Sequence, residues 1–270
     1  MVRADRIPCV LSIAGSDSGG GAGIQADLKA FARCGVHGMT ALTAVTAQNT
    51  VAVTAVHPIA PDLIVEQVRA VAEDIGIDAV KIGMLGNAGA IAAVGRGLDL
   101  LAEGTPVVLD PVMIAESGAR LLDEDALTAL RGLLPRVTVV TPNLPEAEVL
   151  ARAADDSPTP EVLAREIRAL GPEYVVVTGG HRDEATDLFF DGERIVEIPG
   201  ERHPDGAAHG SGCTHSSALA AQLALGLEPL EAARGAKRIA SEAVRDGLRG
   251  VGAGAGPVNA LGLTARGPVT

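Results

Sequence analysis

The 270-residue sequence places a glycine-rich stretch, Gly15-Ser16-Asp17-Ser18-Gly19-Gly20-Gly21-Ala22-Gly23, near its start. Glycines in such a turn let backbone amides approach an anionic or polar ligand closely. Two phosphate-binding patterns can be tested against it. A Walker A loop needs a Lys-Ser/Thr pair after its last glycine, and Gly20-Gly21-Ala22 has none. A dinucleotide fingerprint fits loosely as Gly21-x-Gly23-x-x-Ala26, but the acidic residue required some 20 positions later is missing from residues 43–50. Dinucleotide binding is therefore disfavoured, and a glycine-rich turn without a ligand stays open.

A second constellation is His209-Gly210-Ser211-Gly212-Cys213-Thr214, ahead of a helical pattern. Small residues at a helix start leave N–H groups free, and the helix dipole adds positive potential. That is an anion hole of the kind that suits a phosphoryl group in transfer, built from Gly210, Ser211, Gly212 and Cys213. A thiol at such a helix end should have its thiolate favoured; the alternative for Cys213 is a small buried residue that closes the helix. Asn143-Leu144-Pro145-Glu146 offers an amide and a carboxylate, a donor set for hydrated Mg2+. Taken alone it reads as a capping box, with Asn143 as the cap and Glu146 three residues on. Asp110 ends the very apolar Val107-Val108-Leu109, where a carboxylate is costly unless solvated, paired or beside a metal. Gln48 can present an acceptor and a donor to a heterocycle. Met84 offers a soft contact to a ring, although a core methionine is the commoner reason for one. The six histidines show no metal-ligand spacing, and Cys213-Thr214-His215 is too tight for zinc.

These residues need elements to hold them. Apolar runs rich in β-branched residues occupy 9–14, 40–46, 79–82, 106–110, 137–141 and 174–178. Between them, segments 24–34, 61–74, 88–102, 123–133, 146–154 and 160–170 carry apolar residues at helical spacing. Continuous apolar strands separated by helices predict a parallel sheet covered on both faces. Residues 186–190 and 194–198 flank Asp191-Gly192, a hairpin signal, and helical patterns follow over 211–225 and 229–248. With no internal repeat or long linker, residues 1–270 are expected to form a single α/β domain. In such sheets ligands bind at the carboxyl ends of the strands, which is where Gly15, Gln48, Met84, Asp110, Asn143 and Gly179 all fall.

Composition narrows the partners. Hydrophobic residues make up 47% and charged residues 21%, with one Tyr, three Phe and no Trp, so the core must be aliphatic. A net charge of −12 argues against a nucleic-acid backbone or an anionic membrane as the main partner. No apolar run reaches the ~18 residues of a bilayer span, and no signal peptide is evident at the N-terminus. Three cysteines without a C-x-x-C pair suggest reduced thiols and a cytoplasmic location.

In this order the motifs resemble those of the hydroxymethylpyrimidine/phosphomethylpyrimidine kinases of thiamine biosynthesis, members of the ribokinase-like superfamily. The likeness runs from about Cys9 to Asn259. It is carried by the stretch from Ile13 to Lys29, then Thr46-Ala-Gln-Asn-Thr50, Lys81-Ile-Gly-Met-Leu85 and Leu109-Asp-Pro-Val-Met113. Thr141-Pro-Asn-Leu-Pro-Glu-Ala-Glu148, Gly179-Gly-His181, His209-Gly-Ser-Gly-Cys-Thr214 and Gly256-Pro-Val-Asn259 continue it. The resemblance implies a three-layer αβα fold with a mostly parallel sheet and an antiparallel edge hairpin. It implies ATP- and Mg2+-dependent phosphorylation of the 5-hydroxymethylpyrimidine to its monophosphate and then its pyrophosphate, by a homodimer. Carried over by motif, Gly15, Asp27 and Gln48 would contact the pyrimidine, and Met84 and Val112 would wall it. Asn143, Thr178, Gly179, Gly180 and Lys237 would serve ATP, and Asp110 and Glu146 the metal. Cys213 would be the base at the end of the anion hole, where sugar kinases have an aspartate.

Three places depart from the family's pattern: Thr178 stands where many relatives carry lysine, Glu116-Ser117-Gly118 where Lys-Ser-Gly is common, and residues 201–208 lack an Asp-Thr/Asn-Thr motif. Phosphate charge would then fall to Mg2+, backbone amides and Lys81, Lys237 or Arg238. Two other functions compete. A pyridoxal or pyridoxine kinase would act on a similar hydroxymethyl ring, although Gln48 suits an aminopyrimidine better. A catalytically weak pyrimidine-binding regulator is suggested by Thr178 and Glu116 and opposed by the intact anion hole and acidic pair.

Overall fold

The computed structural model describes residues 6–115, 118–119, 121–123, 125–151, 158–179 and 185–264. The elements in chain order are β1 (Cys9–Asp17), α1 (Gly23–Arg33), β2 (His37–Gln48), β3 (Val53–Pro58), α2 (Pro61–Asp74), β4 (Ala79–Ile82) and α3 (Ala88–Leu98). They continue with β5 (Val107–Leu109), α4 (Ala126–Leu133), β6 (Val139–Val140), α5 (Leu144–Ala151), α6 (Pro160–Ala169) and β7 (Tyr174–Val177). Last come β8 (Asp187–Phe190), β9 (Ile195–Ile198), α7 (Ser211–Ala224) and α8 (Pro229–Arg245).

The nine strands form one sheet in the order β3-β2-β1-β4-β5-β6-β7-β8-β9. β2 through β7 in that order run parallel, while β3 pairs antiparallel with β2, β8 with β7 and β9 with β8. The continuous apolar strands split by side-chain alternation between two cores. Leu11 and Ile13 of β1 join Ile64, Ile91, Leu130, Leu150 and Ile167 from helices α2 to α6. Val10, just before them on the opposite face, joins Phe31 of α1 and the alanine-rich faces of α7 and α8 on the other side. The expected three-layer architecture with its antiparallel edge hairpin is therefore present. In that hairpin Asp191 Oδ1 accepts the amides of Glu193 and Arg194, and Gly192 takes φ 98°.

Three differences from the sequence reading bear on the site. β1 runs through Asp17, so the first polar residues of the glycine-rich stretch are sheet-bound. The β1–β2 register shifts between Ala14 and Ser16, where two steps of β1 face three of β2 from Leu42 to Val45, so the extra residue lies on β2. β3 is absent from the apolar periodicity of the sequence because five of its six residues are exposed and the sixth half-buried. The chain leaves β1 toward β2 on one side and returns to β4 on the other. That reversal opens a crevice outside the carboxyl ends of β1 and β4.

Candidate active site

A cavity of about 450 Å³ lies along the carboxyl ends of the parallel strands. Its lining runs from Gln48 at the tip of β2 to Asp187 at the head of β8. These are six strand spacings apart in the sheet order, about 29 Å at ~4.8 Å per spacing. A ring and a nucleotide can therefore lie end to end.

At the β1–β4 end, Gly15 and Met84 line the cavity together, and a Cβ on Gly15 would sit 2.7 Å from Met84 Cε. The glycine is what lets the methionine lie flat there. Thr43 Oγ1 donates to Met84 O at 2.6 Å and fixes that backbone. Gln48 lines the same end, its Oε1 accepting from Thr46 Oγ1 at 3.2 Å, and Val112 lies on the β5 side. Asp27 does not reach the cavity. It is fully buried in α1, with Ser12 Oγ (2.5 Å), Ser217 Oγ (2.7 Å) and Lys81 Nζ (2.9 Å) all donating to its carboxylate. Its expected contact with the ring is thus corrected: both carboxylate oxygens of Asp27 face protein donors. Lys81 is the residue that comes through. It lines the cavity, its side chain has 0% exposure, and its Nζ stands 3.9 Å from Asp110 Oδ2. Burial pulls the Lys81 ammonium down, but Asp27, Cys213 and Asp110 outweigh it and hold the group above the ordinary lysine value.

Asp110 follows β5 and accepts from Ser216 Oγ of α7 at 3.0 Å. Burial raises its carboxyl despite Lys81. Glu146 and Asn143 form the reciprocal capping box: Asn143 N–H donates to Glu146 Oε2, and Glu146 N–H to Asn143 Oδ1, each at 3.0 Å. The cap is not the whole account, because burial and then the nearby Asp110 push Glu146 up to about 8, against the amides of Asn143 and Met113. Glu146 is thus a buried carboxyl with a second carboxylate beside it, an arrangement that a cation would relieve. Among the described residues no group of three or more His, Cys, Asp or Glu could hold a metal ion. Two carboxylates in a cavity with room for water and phosphate oxygens fit Mg2+, which is seldom caged by protein alone.

The anion-hole turn faces this pair. Gly210 is the α7 N-cap at φ 86°, a left-handed position where a Cβ would overlap Gly21 O. Ser211 N–H is spent on Ala208 O at 2.9 Å, so it offers no amide to a ligand. The amides of Gly212 and Cys213 have no protein acceptor among the described residues. A Cβ built on Gly212 would lie 4.0 Å from Asp110 Oδ2, so these amides and the acidic pair share one space. Cys213 is half-buried. The expectation of a favoured thiolate is overturned: burial pushes the thiol up to about 12, with Asp110 and Asp27 adding to it. Lys81 and the Gly23 amide pull the other way without prevailing.

At the far end Thr178 lines the cavity, tied to Asn143 by a parallel bridge. Gly179 is a packing position, its N–H donating to Asp187 Oδ1 at 2.8 Å, and a Cβ there would overlap Thr186. Gly180 lies outside the described residues. Lys237 Nζ reaches in from α8 to Asp187 Oδ1 at 2.6 Å, and His215 Nε2 stands 3.2 Å from Asp187 Oδ2. Burial raises Asp187, but His215, Lys237 and the Gly179 amide outweigh it and hold it below the usual carboxylate range. Asp17, His209, Asp187 and His215 line the cavity and had no site role assigned from the sequence. For Asp17 and His209 a signal existed, since each belongs to one of the glycine motifs.

With this geometry in place, comparison with known proteins is specific. The family model described as phosphomethylpyrimidine kinase matches residues 17–259. The hydroxymethylpyrimidine/phosphomethylpyrimidine kinase of Rhizobium meliloti (strain 1021) is 47% identical over 256 residues, covering 92% of this chain and 95% of the relative. The crystal structure of phosphomethylpyrimidine kinase from Clostridium difficile 630 matches with TM-score 0.76 and 39% identity, covering 88% of this chain and all of the other. Pyridoxal kinase from Staphylococcus aureus, in complex with AMP-PCP and pyridoxal, matches with TM-score 0.84 and 33% identity over 95% of each chain.

Proposed function

The chain belongs to the phosphomethylpyrimidine kinase family, and from that premise we propose that it transfers the γ-phosphoryl group of ATP to a hydroxymethylpyrimidine, and again to the resulting monophosphate. The observation that carries this reading is the meeting, in one cavity, of the unpartnered Gly212 and Cys213 amides with the Asp110–Glu146 pair. Phosphoryl transfer asks mainly for alignment and charge neutralisation, and these groups supply both. Gln48, Met84 and Val112 hold the ring at the β1–β4 crevice. The amides of Gly212 and Cys213 stabilise the transferring group, and Asp110 and Glu146 would hold Mg2+, which when bound neutralises phosphate oxygens. Lys237 and Thr178 meet the nucleotide at the far end. ATP as donor is supported by the AMP-PCP complex of the S. aureus relative.

Cys213 can take the hydroxyl proton only as the thiolate, so its own proton must first leave to solvent, which the raised thiol makes costly until substrate and Mg2+ alter the surrounding charge. A loose transition state tolerates this late proton transfer. The same reading takes the chain as a single kinase domain that pairs as a homodimer, in keeping with the exposed Val45 and Val56 on the β2–β3 edge. No helix among the described residues is long and apolar enough to cross a membrane. The pyridoxal kinase match supports a second substrate class, a pyridine carrying a hydroxymethyl group. Phosphorus NMR with MgATP and, separately, hydroxymethylpyrimidine, its monophosphate and pyridoxal tests both. Conversion of the two pyrimidines is expected; turnover of pyridoxal alone would replace the reading with vitamin B6 chemistry.

A further inference from the structure

Asp17 takes no step in that chemistry, yet it is 2% exposed and its carboxylate is saturated with donors. Oδ1 accepts the Gly19 amide at 2.8 Å. Oδ2 accepts the amides of Gly21 (3.0 Å) and Ala22 (2.8 Å) and lies 3.1 Å from His209 Nε2. His209 immediately precedes the N-cap of the anion-hole helix. Its backbone is held on both sides by the C-terminal segment, with its N–H donating to Gly256 O at 3.3 Å and its carbonyl accepting from Val258 N–H at 3.0 Å. The loop and the turn then touch backbone to backbone. A Cβ on Gly21 would overlap the His209 ring, and one on Gly210 would overlap Gly21 O.

We propose that Asp17 is a positioning residue, which through His209 and the amides of Gly19, Gly21 and Ala22 locks the glycine-rich turn to the anion-hole turn and so aims the Gly212 and Cys213 amides at the transferring phosphoryl group. The chemistry of the carboxylate fits that task. Four donors need an ionised group, whereas a carboxamide has one acceptor oxygen and would set its NH2 against an N–H. Burial raises the Asp17 carboxyl, but His209 and the amides of Ala22 and Gly19 outweigh it and keep it below the usual range, so it is ionised at neutral pH. A lock of this kind acts on the transition state and leaves ground-state binding alone, because the amides it aims matter only as charge moves.

The inference rests on the kinase reading. Its test is the steady-state kinetics of Asp17→Asn, His209→Ala, His209→Gln and the double variant Asp17→Asn/His209→Ala, with melting temperatures alongside. Asp17→Asn and His209→Ala are expected to lower kcat on the order of 10²-fold, the size of a lost oxyanion donor, with KM for both substrates within about threefold. The double variant should be no slower than the worse single, since the two residues act as one unit. Glutamine at 209 places a donor where the imidazole Nε2 stands and should recover most of the rate. Unchanged kcat, additive losses, an effect confined to KM, or a His209→Gln as slow as His209→Ala would each overturn the lock. If Asp17→Asn does not fold, the two His209 variants decide alone. A wild type without turnover would refute the kinase reading; the lock is then read from the Gly212 and Cys213 amide NMR shifts. They should move in His209→Ala and not in His209→Gln, and shifts unchanged in His209→Ala would overturn it.

Discussion

Lys81 is a fully buried lysine at the wall of the site. Lys81 Nζ and Asp27 Oδ1 are 2.9 Å apart with both side chains at 0% exposure, and Asp110 adds a second carboxylate at 3.9 Å. At an effective dielectric near 20 the first contact is worth about 6 kcal/mol of Coulomb attraction, much of it offset by the desolvation of both ions. Removing one partner is different, because the carboxylate left behind keeps its desolvation penalty without its counterion. Lys81→Met should therefore destabilise the fold by about 3–5 kcal/mol. Ser12 and Ser217 still donate to Asp27, so the lower half of that range is expected. For a chain of this length each kcal/mol moves the melting point by ~2–4 °C, so Tm should fall by roughly 10 °C. Lys81→Met/Asp27→Asn should regain part of the loss, since the closer orphaned carboxylate is gone and Asp110 keeps its hydrogen bond from Ser216 Oγ. Urea denaturation, with the m-value checked for constancy, and differential scanning calorimetry read this directly. A single variant within about 1 kcal/mol of wild type, or a double variant no more stable than the single, would refute the reasoning.

The raised Glu146 carboxyl makes stability pH-dependent. Its value rises from an ordinary 4.5 to about 8 on folding. The stability linked to its proton is thus complete below the unfolded value and is lost as pH rises through about 8. Mg2+ should raise Tm more at pH 8.5 than at pH 5.5, and Glu146→Gln should flatten that difference; an equal Mg2+ effect at both pH values in the wild type would contradict it. Cys213→Ser should lower turnover by at least about 10²-fold while leaving the MgATP dissociation constant unchanged. Activity within a few-fold of wild type would end its role as base. Because burial pushes that thiol up to about 12, iodoacetamide should label Cys213 at pH 7.5 far more slowly than free cysteine.

Much of the site was legible as a list of strand ends. Gly15, Gln48, Met84, Asp110, Asn143 and Thr178 each follow or end an apolar run, and all line one cavity. That worked because a parallel sheet sends its strand ends to one side whatever the details of packing. Asp27 shows the limit. It sits in a matching motif, but its place on α1 directs it into the interface with β1 and α7, where two serines and a lysine already wait. β3 was missed for the opposite reason: an edge strand exposed along most of its length has no apolar alternation to find.

The layered α/β fold, the side of the sheet that carries chemistry, and the helix start that presents free amides are thus written in the residues themselves, because each follows from local periodicity or local backbone geometry. The charges are settled by long-range packing. Asp17 meets His209 across 192 residues, and Lys81 meets Asp27 across 54. The thiol of Cys213 answers to Asp110, Asp27 and Lys81 rather than to its helix end alone. Electrostatic energy depends on through-space distance and burial, and neither is a property of neighbouring letters.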